Sequence, residues 1–119
     1  MGPSVILTIP YPPSVNSMYR TFRGRMLISK KGRIWMKAAV CEAKAQALGW
    51  FVNGPCEFTV KAYMPDNRRR DIDNLLKPLQ DCITHAGLWK DDCQVKALHI
   101  THCGIDRANP RCECIVETL

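Results

Sequence analysis

The sequence predicts an α+β fold with two layers, in which a mixed sheet of about four strands carries two helices packed on one face. Apolar and polar residues alternate over residues 56–64, which is typical of a strand buried on one face. Two other segments repeat apolar residues at helical spacing. A chain of 119 residues buries roughly two-thirds of its unfolded surface. We therefore expect residues 1–119 to form a single domain.

The first half of the chain predicts a strand, a hairpin and a helix. Residues 5–9 form a short apolar run that prolines end, which indicates a strand followed by a rigid loop. Residues 26–29 predict a short strand in a hairpin that turns at Gly24. Ser29 is placed to cap the next helix, and Gly49 to end it. Its predicted apolar face consists of Ile34, Ala38, Cys41, Ala45 and Leu48.

The second half predicts the order strand, helix, strand, strand. After the strand at residues 56–64, apolar residues at helical spacing begin at Leu75, and Gly87 is a plausible stop. Asp73 or Asn74 is the natural N-cap of this helix. Because proline in a helix interior removes a hydrogen bond, Pro78 indicates that the helix begins later or is kinked. Strands are expected over residues 95–103 and 111–118, joined by a turn through Gly104.

The charge of the chain favours a polyanionic partner. Its formal net charge is +6 and its pI is about 9.1, which makes nucleic acid a plausible partner. Residues 18–37 contain seven basic side chains and no acidic one, which indicates either a phosphate-facing patch or a solvated loop and helix start. These seven are Arg20, Arg23, Arg25, Lys30, Lys31, Arg33 and Lys37.

Membrane and secretory classes are not supported. No run of about 18 apolar residues occurs, and the segment at residues 1–10 is too short for a signal peptide before proline interrupts it. The seven cysteines are odd in number and form no Cys-x-x-Cys pair, so neither a disulfide framework nor a zinc knuckle is indicated. We expect most of them to be small buried hydrophobes in a cytoplasmic, reducing compartment.

Acidic residues directly follow a run of arginines. Arg68, Arg69 and Arg70 lead into Asp71 and Asp73, and a second acidic pair, Asp91 and Asp92, returns after one helix length. Side chains at i and i+2 share a direction only in extended chain, so we expect Asp71 and Asp73 on a strand end or loop. If the flanking strands are neighbours, the two acidic pairs meet at one sheet edge. The alternatives are purely structural: Asp73 only caps the helix, and the arginines only face water.

Converging carboxylates beside arginines indicate metal-dependent chemistry on a phosphate backbone. Carboxylate oxygens are hard ligands that suit Mg²⁺ or Mn²⁺, which activate water and stabilise a leaving oxygen. Lys77, one helical turn beyond Asp73, could place an ammonium beside the scissile phosphate. Its structural alternative is a salt bridge to Asp81 at i+4.

The same residues resemble the RusA-type Holliday-junction resolvases. The resemblance lies in the block from Met64 through Asp71-Ile-Asp-Asn-Leu-Leu-Lys77 and in Ala86-Gly-Leu-Trp-Lys-Asp-Asp-Cys-Gln-Val95. The opening Pro10-Tyr-Pro-Pro-Ser-Val-Asn16, Tyr19 and Arg23-Gly24-Arg25 also match. Members are small homodimeric endonucleases, often encoded by prophages, that bind four-way DNA junctions and nick two strands symmetrically with Mg²⁺ or Mn²⁺. No membrane or small-molecule substrate is implied.

The resemblance implies roles for individual residues. Asp71, Asp73 and Asp92 become the metal-binding catalytic carboxylates, Lys77 becomes the catalytic lysine, and Asp91 becomes an adjacent candidate ligand. The residues expected to bind DNA are Arg68, Arg69, Arg70, Lys30, Lys31, Arg20, Arg23 and Arg25.

Two other classes of function remain open at this point. A zinc-stabilised binding module would use His99, His102, Cys103, Cys112 and Cys114, although these residues lack a ligand pair on a tight turn. A non-catalytic DNA-binding module would use the arginines for phosphates and the aspartates only as caps. A phosphatase nucleophile motif at Asp71-x-Asp73 is set aside, because three arginines separate it from the preceding hydrophobic strand.

Overall fold

The computed structural model describes residues 4–119. Two short 3₁₀ helices flank the last α-helix, and both lie in the connection between the fourth and fifth strands. The elements in chain order are β1 Ser4–Pro10, α1 Val15–Met18, β2 Tyr19–Phe22, β3 Arg25–Ile28, α2 Lys30–Ala47, β4 Cys56–Met64, 3₁₀ helix Ile72–Leu75, α3 Leu76–Ala86, 3₁₀ helix Asp92–Gln94, β5 Val95–Ile105 and β6 Arg111–Thr118.

The main sheet has four strands in the order β1-β6-β4-β5. Strand β6 is antiparallel to both β1 and β4, whereas β4 and β5 are parallel. The strands β2 and β3 pair only with each other, in a separate two-stranded sheet. The predicted mixed sheet in an α+β fold is therefore confirmed, with the hairpin as an addition beside it.

One face of the main sheet is buried and the other is partly open. Along β4 the residues Cys56, Phe58, Val60, Ala62 and Met64 are buried, and the intervening residues are not. The buried face of β6 is formed in the same way by Cys112, Cys114 and Val116. Helix α2 contacts β1 and α3, so the helices and the sheet form two layers around the core.

The predicted helix at residues 34–48 is confirmed as α2, but its predicted core face is wrong. Ile34, Ala38, Cys41, Ala45 and Leu48 are all exposed, with Ile34 at 64% and Leu48 at 86%. The face that packs on the core instead carries Gly32, Trp35, Ala39, Ala43 and Ala47.

Three hydrogen bonds between α2 and β1 account for this rotation. The indole Nε1 of Trp35 donates to the carbonyl of Pro10 at 3.0 Å. The side chain of Gln46 accepts from the N–H of Thr8 at 2.6 Å and donates to its carbonyl at 2.8 Å. Because Thr8 lies on an edge strand, Gln46 satisfies backbone groups there that lack a strand partner.

The hairpin of β2 and β3 turns at Arg23 and Gly24, as predicted. Both residues have positive φ, 51° and 73°, which is the conformation of a two-residue turn matched to the twist of a hairpin. At its base, the N–H of Ser29 donates to the carbonyl of Met18 at 2.8 Å. The Ser29 hydroxyl caps α2 by accepting from Gly32 N–H at 2.9 Å, which confirms the predicted cap.

Helix α3 begins at Leu76, later than the sequence indicated, which resolves the position of Pro78. Pro78 lies in the first turn, where backbone N–H groups have no intrahelical partner, so its missing N–H costs no hydrogen bond. Gly87 ends the helix with φ of 82°, as expected.

Cysteine burial agrees with the expectation from the sequence. Four of the seven free cysteines are buried, namely Cys56, Cys82, Cys112 and Cys114. Burial raises the pKa of the Cys82 and Cys112 thiols to about 12, so these thiols behave as small apolar side chains. Within residues 4–119, none of the helices combines the length and the apolar character needed to span a bilayer.

The close approach of α2 to the hairpin base requires glycine at position 32. A Cβ added there would overlap the carbonyl oxygen of Met18 and lie 2.9 Å from Cγ1 of Ile28. We predict that Gly32→Ala lowers the free energy of unfolding by about 1–3 kcal/mol, as overpacking typically does. Urea unfolding measures this change.

Gly54→Ala is the matched control, because a Cβ at Gly54 has no atom within 4 Å and its φ is not positive. It should leave stability unchanged or raise it slightly. Equal effects of the two substitutions would contradict the steric argument.

Candidate active site

Asp66 organises the arginine run. Its Oδ1 accepts from the backbone N–H of Arg68 at 2.9 Å and from Nη1 of Arg70 at 2.6 Å. The guanidinium of Arg70 also lies 6.0 Å from the centroid of the Tyr11 ring. Arg70 is therefore held in place, while Arg68 and Arg69 are exposed. The side-chain hydrogen bond from Arg70, followed by the backbone bond from Arg68, lowers the pKa of Asp66 to about 2.

A cavity of about 550 Å³ adjoins this segment, and we call it the basic cleft. The apolar part of its wall comes from the loop after β1, including Tyr11, Pro12 and Pro13. The charged side chains in its wall are four basic residues and one acid, namely Lys31, Arg68, Arg69, Arg70 and Asp71. The fold thus brings five of the predicted site residues to one concave surface.

Asp71 and Asp73 have exposed carboxylates at the start of the connection to α3. Asp71 has extended backbone, with φ of −86° and ψ of 117°, whereas Asp73 lies in the 3₁₀ helix Ile72–Leu75. The prediction of strand or loop therefore holds for Asp71 alone. The predicted capping by Asp73 or Asn74 is wrong, because α3 follows the 3₁₀ helix directly and its N-cap, Leu75, makes no side-chain capping bond.

Asp91 has a structural role that the sequence did not assign to it. Its Oδ1 accepts from the N–H of Cys93 at 2.9 Å, and its own N–H donates to Oε1 of Gln94 at 3.2 Å. This reciprocal pair is a capping box for the 3₁₀ helix Asp92–Gln94. Asp91 therefore fixes the turn that presents Asp92.

Two carboxyl groups and one ammonium act on the carboxyl group of Asp92. Partial desolvation raises its pKa, and the neighbouring carboxyls of Asp91 and Asp81 raise it further. The ammonium of Lys77 opposes these effects. The 3₁₀ helix that Asp92 begins also contacts α3, the helix that carries Lys77 and Asp81.

Lys77 makes the salt bridge that was the structural alternative to catalysis. Its Nζ lies 3.7 Å from Oδ2 of Asp81 and 5.0 Å from the centroid of the Tyr19 ring. The Lys77 side chain is still 54% exposed, so its ammonium remains accessible to a substrate from solvent.

The two acidic pairs were expected to meet at one sheet edge because their flanking strands are neighbours. This argument is wrong. The strands β4 and β5 are neighbours, but they are parallel, with Cys56 opposite Val95 and Met64 opposite Ile105. The end of β4 and the start of β5 therefore lie at opposite ends of the sheet. The residues between them bridge this distance, because the 3₁₀ helix Ile72–Leu75 contacts β5 and the 3₁₀ helix Asp92–Gln94 contacts α3.

The described residues of the single chain do not preassemble a metal cluster. Across residues 4–119, no three side chains of Asp, Glu, His or Cys are arranged to hold a metal ion. The gathering of Asp71, Asp73 and Asp92 around one ion thus stays a prediction. The zinc-module alternative has a further obstacle, because β4 separates β5, with His99, from β6, where Cys112 and Cys114 are buried.

The remaining predicted DNA-binding residues lie on the hairpin and at the start of α2. The strands β2 and β3, which we call the basic hairpin, expose Arg20, Arg23 and Arg25. Lys30 and Lys31 begin α2 and are exposed, and of these two only Lys31 lines the basic cleft. Two separate cationic surfaces are therefore present.

Sequence reasoning missed the contacts of three residues near the site. Asp66 was detectable, because an aspartate that accepts from the N–H two residues on is a common turn signal. The partnership of Tyr19 with Asp81 had no local signal, since 62 positions separate the two residues.

Comparison with known proteins identifies the family. Residues 10–117 match the family described as Endodeoxyribonuclease RusA. The chain belongs to this family. The matched range contains all the candidate catalytic, metal-binding and DNA-binding residues, so the resemblance seen in the motifs extends over nearly the whole of this sequence.

Individual relatives agree with this assignment. The chain is 42% identical over 89 residues to the crossover junction endodeoxyribonuclease rusA of Enterobacteria phage 82, covering 75% of this chain and 74% of that protein. It is equally similar to the RusA protein of the same description from Shigella sonnei strain Ss046, with the same coverage. The RusA protein of Escherichia coli strain K12 is 40% identical, again over 75% and 74% of the two chains.

The bond between Asp66 and Arg70 predicts a pH dependence of stability. Because folding lowers the pKa of Asp66 from 3.8 to about 2, its stabilising contribution is present above pH of about 4. It is lost as the pH falls toward 2. We predict that wild-type protein is more stable than Asp66→Asn at pH 6 and that this difference disappears by about pH 2.

Urea unfolding at several pH values tests this prediction. An Asp66→Asn difference that is constant from pH 6 to pH 2 would contradict the assigned pKa shift.

Proposed function

We propose that this protein is a structure-selective DNA endonuclease that resolves four-way junctions by hydrolysing phosphodiester bonds. The observation that carries the proposal is the basic cleft with Asp71 in its wall, in a chain of the RusA family. Cationic walls concentrate a phosphate backbone, and carboxylates beside it suit the chemistry of its cleavage. The names of the relatives as crossover junction endodeoxyribonucleases support branched DNA as the substrate.

We further propose that the activity requires Mg²⁺, which Mn²⁺ can replace. The oxygen donors are of the type that Mg²⁺ prefers, because Asp71, Asp73 and Asp92 are exposed carboxylates. The pKa of Asp92 is raised by desolvation and by the neighbouring carboxyls. These three residues would hold the ion, with Asp91 next to them. When bound, the ion would activate water and stabilise the leaving oxygen.

The other charged residues have distinct roles in this proposal. Lys77 supplies an ammonium to the phosphate as negative charge builds in the transition state. Arg68, Arg69 and Arg70 hold the strand in the basic cleft, and the basic hairpin grips a neighbouring arm of the junction. The activity belongs in the cytoplasm of a bacterial or phage-infected cell, where branched DNA forms.

Symmetric nicking of a junction calls for two sites, and we propose that a homodimer supplies them. The exposed face of α2 supports this, because Ile34, Ala38, Cys41, Ala45 and Leu48 follow the alternating spacing of three and four residues found in a coiled-coil seam. Such a seam is shaped for another helix, and a two-fold axis pairs the same seam on both copies.

Substitution of the carboxylates separates catalysis from binding. We predict that Asp71→Asn, Asp73→Asn or Asp92→Asn lowers junction nicking with Mg²⁺ by more than about a hundredfold, the scale on which single catalytic groups act. Junction binding measured by gel shift without metal should remain close to wild type, because each substitution removes negative charge from a DNA-facing surface.

Asp106→Asn is the control for these variants, since Asp106 pairs with Arg111 outside the cleft. It should nick at the wild-type rate. Full cleavage by Asp73→Asn in the presence of Mg²⁺ would end the metal-ligand assignment. Binding without any nicking by the wild-type protein would instead favour the non-catalytic DNA-binding module.

We predict that binding of the junction depends strongly on salt concentration because of the arginines in the basic hairpin. Each neutralised phosphate releases condensed counterions, so replacing Arg20, Arg23 and Arg25 by Gln should reduce the slope of log K against log salt by about three. Fluorescence anisotropy of a labelled junction between low and high salt measures the slope. An unchanged slope would remove the hairpin from the DNA-binding surface.

The dimer proposal predicts that charge on the α2 seam separates the two copies. Wild-type protein should sediment as a dimer of the 13.5 kDa chain, whereas Ile34→Glu with Leu48→Glu should sediment as a folded monomer, since buried unpaired carboxylates oppose association. Lys37→Glu is the control, because this residue lies on α2 outside the five seam positions. A monomeric wild type would contradict the proposal.

A further inference from the structure

Lys77 lies in a cluster of side chains that come from three parts of the chain. The phenol of Tyr19 donates to Oδ2 of Asp81 at 2.8 Å. The same oxygen lies 3.7 Å from Nζ of Lys77, which also stands over the Tyr19 ring. Asp92 begins the 3₁₀ helix Asp92–Gln94, which contacts α3, the helix that carries Lys77 and Asp81.

The hydrogen bond between Tyr19 and Asp81 is partly shielded from solvent. The Asp81 side chain is 32% exposed, and Tyr19 is partly buried. Burial raises the pKa of Tyr19, and the hydrogen bond to Asp81 and the charge of Asp81 raise it further. The phenol is therefore a proton donor at any working pH, and Asp81 remains the acceptor.

An i,i+4 salt bridge alone would hold Lys77 only weakly. Such exposed pairs contribute little to stability, and here the basic residue comes first, which is the less favourable order. The phenol removes the rotational freedom of the Asp81 carboxylate, and the ring removes part of the volume open to the ammonium. Both contacts limit the positions open to the ammonium on α3, the helix that the 3₁₀ helix Asp92–Gln94 contacts.

We propose that Tyr19 and Asp81 are positioning residues for Lys77, holding its ammonium toward Asp92 so that it meets the scissile phosphate. This inference rests on the proposed nuclease activity, and it assigns to Tyr19 and Asp81 a role that acts through another residue. Tyr19 is also the first residue of β2. The bond therefore connects the base of the basic hairpin to the helix that carries the lysine.

Kinetics on a synthetic four-way junction test the positioning role. Tyr19→Phe keeps the ring and removes only the hydroxyl, and Asp81→Asn keeps an acceptor oxygen and removes the charge. Each should lower kcat about tenfold to a hundredfold, the scale of a misplaced catalytic group. The KM and the binding constant for the junction should stay unchanged. The thermal midpoint of each variant should also remain near wild type.

Matched controls come from the other end of the main sheet. Tyr63 stacks under the guanidinium of Arg111 at 4.0 Å, and Asp106 pairs with that same arginine. Tyr63→Phe and Asp106→Asn should leave kcat unchanged. A loss of kcat in the controls equal to that in Tyr19→Phe would overturn the proposal, because a general structural effect would then explain both.

A double-substitution cycle tests whether the effect passes through Lys77. In a Lys77→Met background, single-turnover nicking should be slow, and adding Tyr19→Phe should lower it no further. An additional loss as large as that seen with Lys77 present would show that Tyr19 acts independently, and would overturn the proposal.

A measurement without DNA separates this inference from the proposed function. The ring of Tyr19 should shift the ε-methylene resonances of Lys77 in carbon-edited NMR spectra, with Lys77→Arg identifying the signals. In Tyr19→Phe and Asp81→Asn these resonances should move toward those of a free lysine. Unchanged resonances would overturn the positioning role even in an active nuclease. If the variants show the predicted resonance changes but the wild-type protein does not nick junctions, the nuclease activity is rejected and the positioning of Lys77 is retained.

Discussion

The parallel pairing of β4 with β5 is the constraint on which the candidate site depends. Parallel neighbours cannot be joined by a hairpin, so the chain must return from one end of the sheet to the other through a long connection. That connection, residues 65–94, contains the arginine run, both acidic pairs and Lys77. The site is therefore built on the crossover, while the antiparallel strands β1 and β6 complete the sheet beside it.

The crossover places opposite charges on two adjoining surfaces. On one surface, Asp66 binds Arg70, while Arg68 and Arg69 stay exposed in the wall of the basic cleft. On the other, desolvation and the charges of Asp91 and Asp81 raise the pKa of Asp92, and the charge of Lys77 opposes this shift. A phosphate drawn to the first surface meets negative charge at the second. A divalent cation would relieve that repulsion, which is the physical reason for a metal in the proposed function.

Strands and helix limits were predictable because they depend on local pattern. Alternation at residues 56–64 identified β4, and Ser29 and Gly87 marked the ends of helices at the residues where the structure has them. The direction in which β5 pairs was not predictable, since alternation is the same for parallel and antiparallel neighbours. The expectation that the acidic pairs meet at one edge was wrong for this reason, and the joint role of these residues in one site stays a prediction.

The orientation of α2 shows a second limit of predicting structure from the spacing of apolar residues. Alanines occur on both sides of this helix, so apolar spacing alone favoured the stripe from Ile34 to Leu48. The structure instead buries the side with Trp35, whose indole reaches the Pro10 carbonyl, and Gln46 pairs with the backbone of Thr8. These bonds join α2 to a strand more than twenty residues away. The seam left exposed is the surface on which the proposed homodimer would form.

The hairpin is joined to the rest of the molecule at two places, and they have different consequences. At its base, Gly32 lets α2 lie directly against the carbonyl of Met18, which fixes where the hairpin leaves the domain. The phenol of Tyr19 makes the second link, to Asp81 on α3. In the proposed nuclease, a junction arm bound by the hairpin arginines would act on Tyr19, whose phenol is bonded to Asp81, the ion-pair partner of Lys77. Because both links are short, a displacement of the hairpin would also change the surroundings of the ammonium. The proposed function thereby connects binding of a branched substrate to the position of Lys77.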